Sequence, residues 1–178
     1  MTTQEQAQRV LDEWVAALRA EGPVPGAHGK PVEIEAEPGA AAGQTMLQLP
    51  GSTRIHVPVS VLIGSRSLSA SAFVCRNPDE NHETVYRWLL RRNLKLKLAT
   101  FAIDNPGDIY LNGYLPLEAV TPDSLDAMLG EISQVADESF NELIGMGFLS
   151  GLKQEFAWRQ ARGLPTRNLD AFRALLED

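Results

Sequence analysis

Cys75 and His82 are the first residues in this chain that could do covalent chemistry. A cysteine becomes a nucleophile when a neighbouring base takes its proton. Cys75 ends an apolar run and His82 falls early in the helical run that follows, so the two are close enough in sequence to meet. No third residue nearby is of a type to orient the histidine, and a cysteine in an apolar run is more often an inert core residue. Asp79, Glu80, His82 and Glu83 are of metal-ligating type, and Asp79 and Glu83 are spaced to share a helix face. Acids at the start of a helix are explained without a metal, and His28, His56 and His82 show no ligand spacing. Gly145, Gly147 and Gly151 look only faintly like a phosphate loop, because such loops follow a strand and these glycines end a helical run. No catalytic residue, cofactor or metal is expected, and the chain reads as non-enzymatic.

Two clusters are suited to binding instead. Arg87, Trp88, Arg91, Arg92 and Lys95, with Lys97 just beyond, set one aromatic among cations. Such a patch can take an acidic peptide or single-stranded nucleic acid; the plainer reading is a core Trp88 beside a solvated helix end. Trp158 and Arg159, with Arg162 after them, repeat the pattern on a later helix, where they would anchor a partner or cover the sheet edge. A net charge of −7 argues against general nucleic-acid binding. That charge is unevenly spread. Residues 98–152 hold nine acids and no lysine or arginine, so this stretch sums to −9 and leaves the rest of the chain at +2. A two-faced charge distribution can steer association with a partner or a second copy, or can simply be solvated surface.

The elements that must position these residues follow from periodicity. Val10, Leu11, Trp14, Val15 and Leu18 build one apolar stripe on a helix over residues 4–20, and Gly22–Pro23 stops it. Val32, Ile34 and Ala36 alternate with Glu33, Glu35 and Glu37, as in an edge strand. Strands follow over 45–49, 54–63 and 68–75, with Pro58 marking a place where one side of its strand is unpaired. The small residues of 68–75 predict close packing by a helix. Asn77–Pro78–Asp79–Glu80 carries the signals of a capped helix start, with Asn77 as the cap and Glu80 reaching back to it, and that helix runs to about Asn93. Two more strands, 94–103 and 109–117, flank the turn Asn105–Pro106–Gly107–Asp108. Thr121 starts the longest helix, which runs to about Met146; helices over 150–162 and 168–176 close the chain.

Short turns between strands make an antiparallel sheet. The predicted fold class is α+β: an antiparallel sheet of about five to six strands with helices on one face, plus C-terminal helices. Length suits one domain over 1–178, with an N-terminal helix (1–21), an α+β core (22–149) and a C-terminal helical extension (150–178). The single cysteine excludes an intrachain disulfide and agrees with a cytoplasmic location. The N-terminal residues lack a secretory pattern, and no apolar run reaches the ~20 residues that span a bilayer, so no membrane is expected.

The segments Phe73–Val74–Cys75–Arg76–Asn77–Pro78–Asp79–Glu80–Asn81–His82, Val85 to Asn93 and Gly107–Asp108–Ile109–Tyr110–Leu111 are similar to those of the bacterial YbjN-domain family, described as sensory transduction regulators. Asp137–Glu138–Ser139–Phe140–Asn141 and Ala157–Trp158–Arg159 resemble its actinobacterial-type members, and the similarity runs from about Ser52 to Phe172. That family resembles type III secretion chaperones in fold: small acidic proteins that usually dimerise and hold an extended partner segment. The resemblance implies a secretion-chaperone-like fold, a protein partner of unknown identity and a homodimer. A small-molecule sensor or enzyme with a helix–sheet pocket is the alternative, and nucleic-acid binding through Arg87–Lys97 a further one.

Overall fold

A computed structural model of the chain describes residues 3–176; Met1, Thr2, Glu177 and Asp178, at the two ends of the expected 1–178 span, lie outside the described residues. Helix α1 (Thr3–Glu21) buries Ala7, Leu11, Trp14 and Val15. A small pair, β1 (Val24–Pro25) and β2 (Pro31–Val32), brackets a 3-10 turn at Ala27–Gly29. The main sheet is built from β3 (Glu35–Pro38), β4 (Gln44–Pro50), β5 (His56–Ile63), β6 (Ser67–Cys75), β7 (Ala99–Ile103) and β8 (Ile109–Pro116). Their order is β3-β4-β5-β6-β8-β7, antiparallel throughout. Helix α2 (His82–Asn93) separates β6 from β7, and α3 (Pro122–Gly147), α4 (Leu149–Ala161) and α5 (Arg173–Leu176) follow β8. The α+β class, the six antiparallel strands and the C-terminal helices are those expected.

Alternation along the strands decides which face the helices cover. Val57, Val59, Val61 and Ile63 of β5, Leu68, Ala70 and Ala72 of β6, and Ile109, Leu111 and Leu115 of β8 are all buried. They meet the stripe of α3, where Leu125, Met128, Leu129, Ile132 and Ala136 are fully enclosed. The small residues of the sheet allow this approach. A methyl group added at Gly113 of β8 would stand 2.9 Å from both Met128 Sδ and Ile132 Cδ1, so α3 rests almost on the backbone. Pro58 sits as expected: it faces Gln48 of β4, and the pairing of β5 with β6 begins only at Val59. Leu169, Phe172 and Leu176 form a satellite cluster against Ile144, Leu152 and Phe156.

Three local expectations are corrected. Asn77 does not cap a helix, and Glu80 does not complete a capping box: α2 begins at His82 after Asn81, which takes a left-handed φ of 56°. Residues 77–81 instead dock elsewhere. Asn77 Nδ2 donates to Pro106 O at 2.9 Å, its amide donates to Asp108 at 2.8 Å, and Asp79 N and Glu80 N donate to Gly147 O. Tertiary acceptors outcompete the local cap. Strand β7 starts at Ala99 rather than residue 94, because the Glu131 carboxylate of α3 accepts the amides of Lys97, Leu98 and Ala99 and bends that stretch into a loop. The last predicted helix is a 3-10 run, Arg167–Phe172, before the single turn of α5.

Both sheet edges are closed by side chains from helices. On β7, Phe101 N donates to Asn93 Oδ1 at 2.8 Å and Asn93 Nδ2 returns a bond to Phe101 O at 3.3 Å, a side-chain amide in the place of a neighbouring strand. At the β3 edge, Arg19 Nη2 donates to Ala36 O at 3.5 Å and Nε to Ile34 O, just before the strand, at 3.2 Å. Unpaired edges invite strand pairing. Asn93→Ala is expected to leave the Phe101 groups open and to produce larger species than the wild type as concentration rises; identical elution in size-exclusion chromatography would contradict this role.

One buried carboxylate ties α3 to the turn between β4 and β5. Asp137 is 3% exposed, and accepts from Ser52 N, Ser52 Oγ, Thr53 N and Arg54 N at 2.7–2.8 Å. Burial raises this carboxyl, but the bonds from Arg54, Thr53 and Ser52 outweigh it and hold it below its ordinary value. Asp137→Ala would strand three amides and a hydroxyl, at a cost of about 3 kcal/mol, or roughly 6–12 °C in Tm for a chain of this size. Because the folded carboxyl titrates below the unfolded one, its contribution is complete above the unfolded value and fades as pH falls through the folded one. Thermal melts of wild type and variant should therefore converge in acid; an equal gap at all pH values would refute the assignment.

Candidate partner-binding site

An apolar concavity lies where the end of β6 meets the α3–α4 junction. Its walls are Phe73, Val74, Phe140, Ile144, Phe148 and Leu152, and it is an open cleft of about 530 Å³. A bulge in β6 between Phe73 and Cys75 shapes it. The extra residue breaks the alternation, so Val74 and Cys75 are buried in succession while Phe73 stays partly open, edge-on to Tyr110 at 5.5 Å. Arg54 enters from the 51–55 turn with its guanidinium 5.0 Å from the Phe140 ring centroid, and Arg76 leaves β6 to stand 4.5 Å over the Phe148 ring. Arg54 Nη2 donates to Ala136 O at 3.1 Å, and Arg76 grips Asp79 through two bonds of 2.6 and 2.7 Å.

The candidate chemical groups are placed as follows. Cys75 is buried, and that burial pushes its thiol up to about 11, with Arg54 pulling the other way, so it is protonated at neutral pH. His82 is exposed at the start of α2, its ring 5.9 Å from Tyr86, and no hydrogen bond among the described residues joins it to Cys75. Asp79 faces Arg76, Glu83 pairs with Arg87, and Glu80 accepts from Ser150 N and Oγ at 2.7 and 2.6 Å. These hydrogen bonds hold Asp79 and Glu80 below their ordinary values. Gly147 is a packing glycine: a Cβ there would lie 2.8 Å from Pro78. No group of three histidine, cysteine or carboxylate side chains among the described residues is placed to hold a metal ion. No helix among them is long and apolar enough to cross a membrane.

The predicted binding clusters fall on two helices. Trp88 is half-buried: Nε1 donates to Glu142 at 3.1 Å, and the ring meets Phe101 edge-on at 5.7 Å. Arg92 lies 6.0 Å over that ring and reaches Glu138 at 3.4 Å. Trp88 and Arg92 therefore tie α2 to α3. Arg87, Arg91 and Lys95 are exposed, and between them stand Leu90 and Leu94, 69% and 87% exposed. Beside them a groove of about 280 Å³ runs between α2 and β7, lined by Tyr86, Leu89, Leu90, Phe101 and Ile103. On α4, Trp158 is 47% exposed beneath Arg162 at 4.5 Å, while Arg159 bonds Glu155 at 2.8 Å and Pro165 O at 3.1 Å, fastening the end of its helix. Sequence reasoning missed Arg54, Phe140 and Phe148. One signal for Arg54 was available: a lone carboxylate, Asp137, inside the apolar stripe of α3 implies a buried donor set.

The family profile YbjN, described as "Putative bacterial sensory transduction regulator", matches residues 56–145. The chain belongs to the YbjN family. Its relatives include the proteins Rv0487 of Mycobacterium tuberculosis, 44% identical over 76% of this chain and 74% of that one, and ML2442 of Mycobacterium leprae, 43% identical over 75% and 72%. Among solved structures, a chain of the ExsC–ExsE complex superposes with a TM-score of 0.51 at 16% identity, covering 80% of this YbjN chain and 97% of that one. A chain of the ExoU–SpcU complex from the type III secretion system of Pseudomonas aeruginosa gives 0.44 at 14% identity, covering 77% and 97%. On the ExsC–ExsE superposition, the YbjN chain has the secretion-chaperone-like fold that the family resemblance implied.

The thiol of this YbjN protein gives a direct check on its burial. Cys75 in the native state is expected to react with a disulfide reagent such as DTNB at pH 8 more than a hundredfold slower than in denaturant. Comparable rates would mean that the end of β6 is open.

Proposed function

We propose that this YbjN-family chain acts as a single domain in the cytoplasm, as a non-enzymatic, chaperone-like protein that binds another protein through the α2–β7 face. One observation carries the reading: Leu90 and Ile103 are exposed on the lining of an apolar groove, and Leu94, Leu98, Arg87, Arg91 and Lys95 are exposed on the same stretch of chain. Contiguous exposed apolar side chains rimmed by charge mark protein contacts. With Asn93 closing the β7 edge, the partner is held by side chains in the groove rather than by strand addition. The family and the fold of its structural neighbours support a protein-binding role. The half-buried Trp88, its indole held by Glu142 and its ring packed edge-on against Phe101, is poorly placed for base stacking, which counts against single-stranded nucleic acid.

A photo-crosslinking residue at Leu94, introduced in the native host, is expected to capture a discrete protein, and the same residue at Leu62 on the opposite sheet face is not. Absence of any protein adduct from position 94 would defeat the reading. The same face suits a second copy, since a two-fold axis across α2 would bring Leu90 and Leu94 of both copies together. Light scattering is then expected to give twice 19.5 kDa for the wild type and 19.5 kDa for Leu90→Glu/Leu94→Glu; a monomeric wild type at micromolar concentration removes the homodimer.

A further inference from the structure

We propose that the cleft between β6 and the α3–α4 junction binds a small monocarboxylic acid with an apolar body, its carboxylate against Arg54. This site is separate from the α2–β7 face and stands or falls without it. Its volume, about 530 Å³, is that of a small-molecule pocket. The walls come from four separate segments, the 51–55 turn, β6, α3 and α4, which is the architecture of a pocket rather than of a track along one element.

The polarity of the cleft selects the ligand. The Arg54 side chain is only 18% exposed, yet its charge is incompletely answered. Among the described residues Nη2 reaches Ala136 O, Nε is buried without a hydrogen bond, and Nη1 donates none. The nearest carboxylate, Asp137, stands 3.8 Å from Nε, and both its oxygens already accept main-chain amides. A largely buried cation in this state is stabilised by an anion that brings its own apolar cover. Every other ionisable group lining the cleft is accounted for. Arg76 is doubly bonded to Asp79, Glu155 accepts from Arg159, and Cys75 is a protonated thiol. The rim is therefore neutral overall, and its two carboxylates oppose a dianion such as phosphate. A single carboxylate can accept from Nη1 of the guanidinium, while the phenyl rings of Phe73, Phe140 and Phe148 flank an alkyl or aryl body.

Calorimetry and thermal shift on the full chain, with sodium octanoate and 3-phenylpropionate as probes and 1-octanol and octylamine as controls, test this. Saturable one-to-one binding of at least one acid is expected, with octanol about tenfold or more weaker than octanoate and octylamine silent. Arg54→Gln should abolish the preference for octanoate over octanol. Since that variant also disturbs Asp137, Gly151→Trp serves as the second: Gly151 lines the cleft from α4 and a Cβ there meets nothing within 4 Å, so the variant should fold, keep its melting temperature, and lose the acid. Failure of both acids to saturate the wild type, equal affinity for octanol and octanoate, or undiminished binding to Gly151→Trp would each overturn the proposal. So would tenfold tighter binding of a short peptide ending in Leu-Phe with a free carboxylate, which would make the occupant a chain terminus.

Discussion

The Asp137 carboxylate is the contact on which the rest of this architecture depends. An ionised carboxylate in an apolar helix stripe is tolerable only when its oxygens are filled by donors, and here three consecutive amides and a hydroxyl fill them. The bond set does more than satisfy a charge. It fixes where the β4–β5 turn lies against α3, and so where Arg54 emerges and how its guanidinium comes to rest on Phe140. A methyl group at Gly51 would stand 2.8 Å from Asp137 Oδ1 and closer still to Arg54 O, so the turn has room for no side chain there. The sheet, the long helix and the cleft thus share one point of register.

The acidic stretch looks different once its bonds are known. In the sequence, residues 98–152 appear as an unopposed block of negative charge. In the fold, Asp104, Asp108, Glu131 and Asp137 accept main-chain amides, Glu138 takes Arg92, and Glu142 takes the Trp88 indole. Six of the nine acids are therefore occupied within the molecule. What faces outward from α2 and the turn after it is Arg87, Arg91 and Lys95 beside bare leucines. The two-faced charge is in large part a scaffold of acceptors, with a smaller basic surface left for association.

Much of this was legible in the residues. The main-sheet order of helix, four strands, helix, two strands and helices could be read from periodicity, although the strand expected from Val32 to Glu37 is divided between β2, which pairs with β1, and β3 of the main sheet. The Thr121 cap and the turn at Gly107, with its φ of +95°, obey local rules that nothing tertiary overrides. Asn77 shows the opposite case: its cap signature is sound, but Pro106 O and Asp108 offer it partners that no local rule includes. Leu94, Leu96 and Leu98 alternate like a strand, yet Glu131, more than thirty positions on, draws the following amides into a loop. Trp88 reads correctly as core, which leaves the leucines between the arginines, not the tryptophan, as the exposed apolar surface. The cleft was beyond reach for a plain reason: Arg54, Arg76, Phe140 and Phe148 belong to segments with no shared periodicity, and only the folded chain brings them together.

Glu131 and Asp137 grip their loops by amide hydrogens, a feature every residue except proline supplies. Side chains at Thr53, Lys97 and Leu98 are thus at liberty to drift over evolutionary time while the loops keep their shape, whereas the two acids on the helix have little such latitude. Divergent members of this lineage should then look most alike not in the loops that shape the surface but on the inward side of one long helix. Proline arriving in either loop would be a far graver change than any alteration of size or polarity.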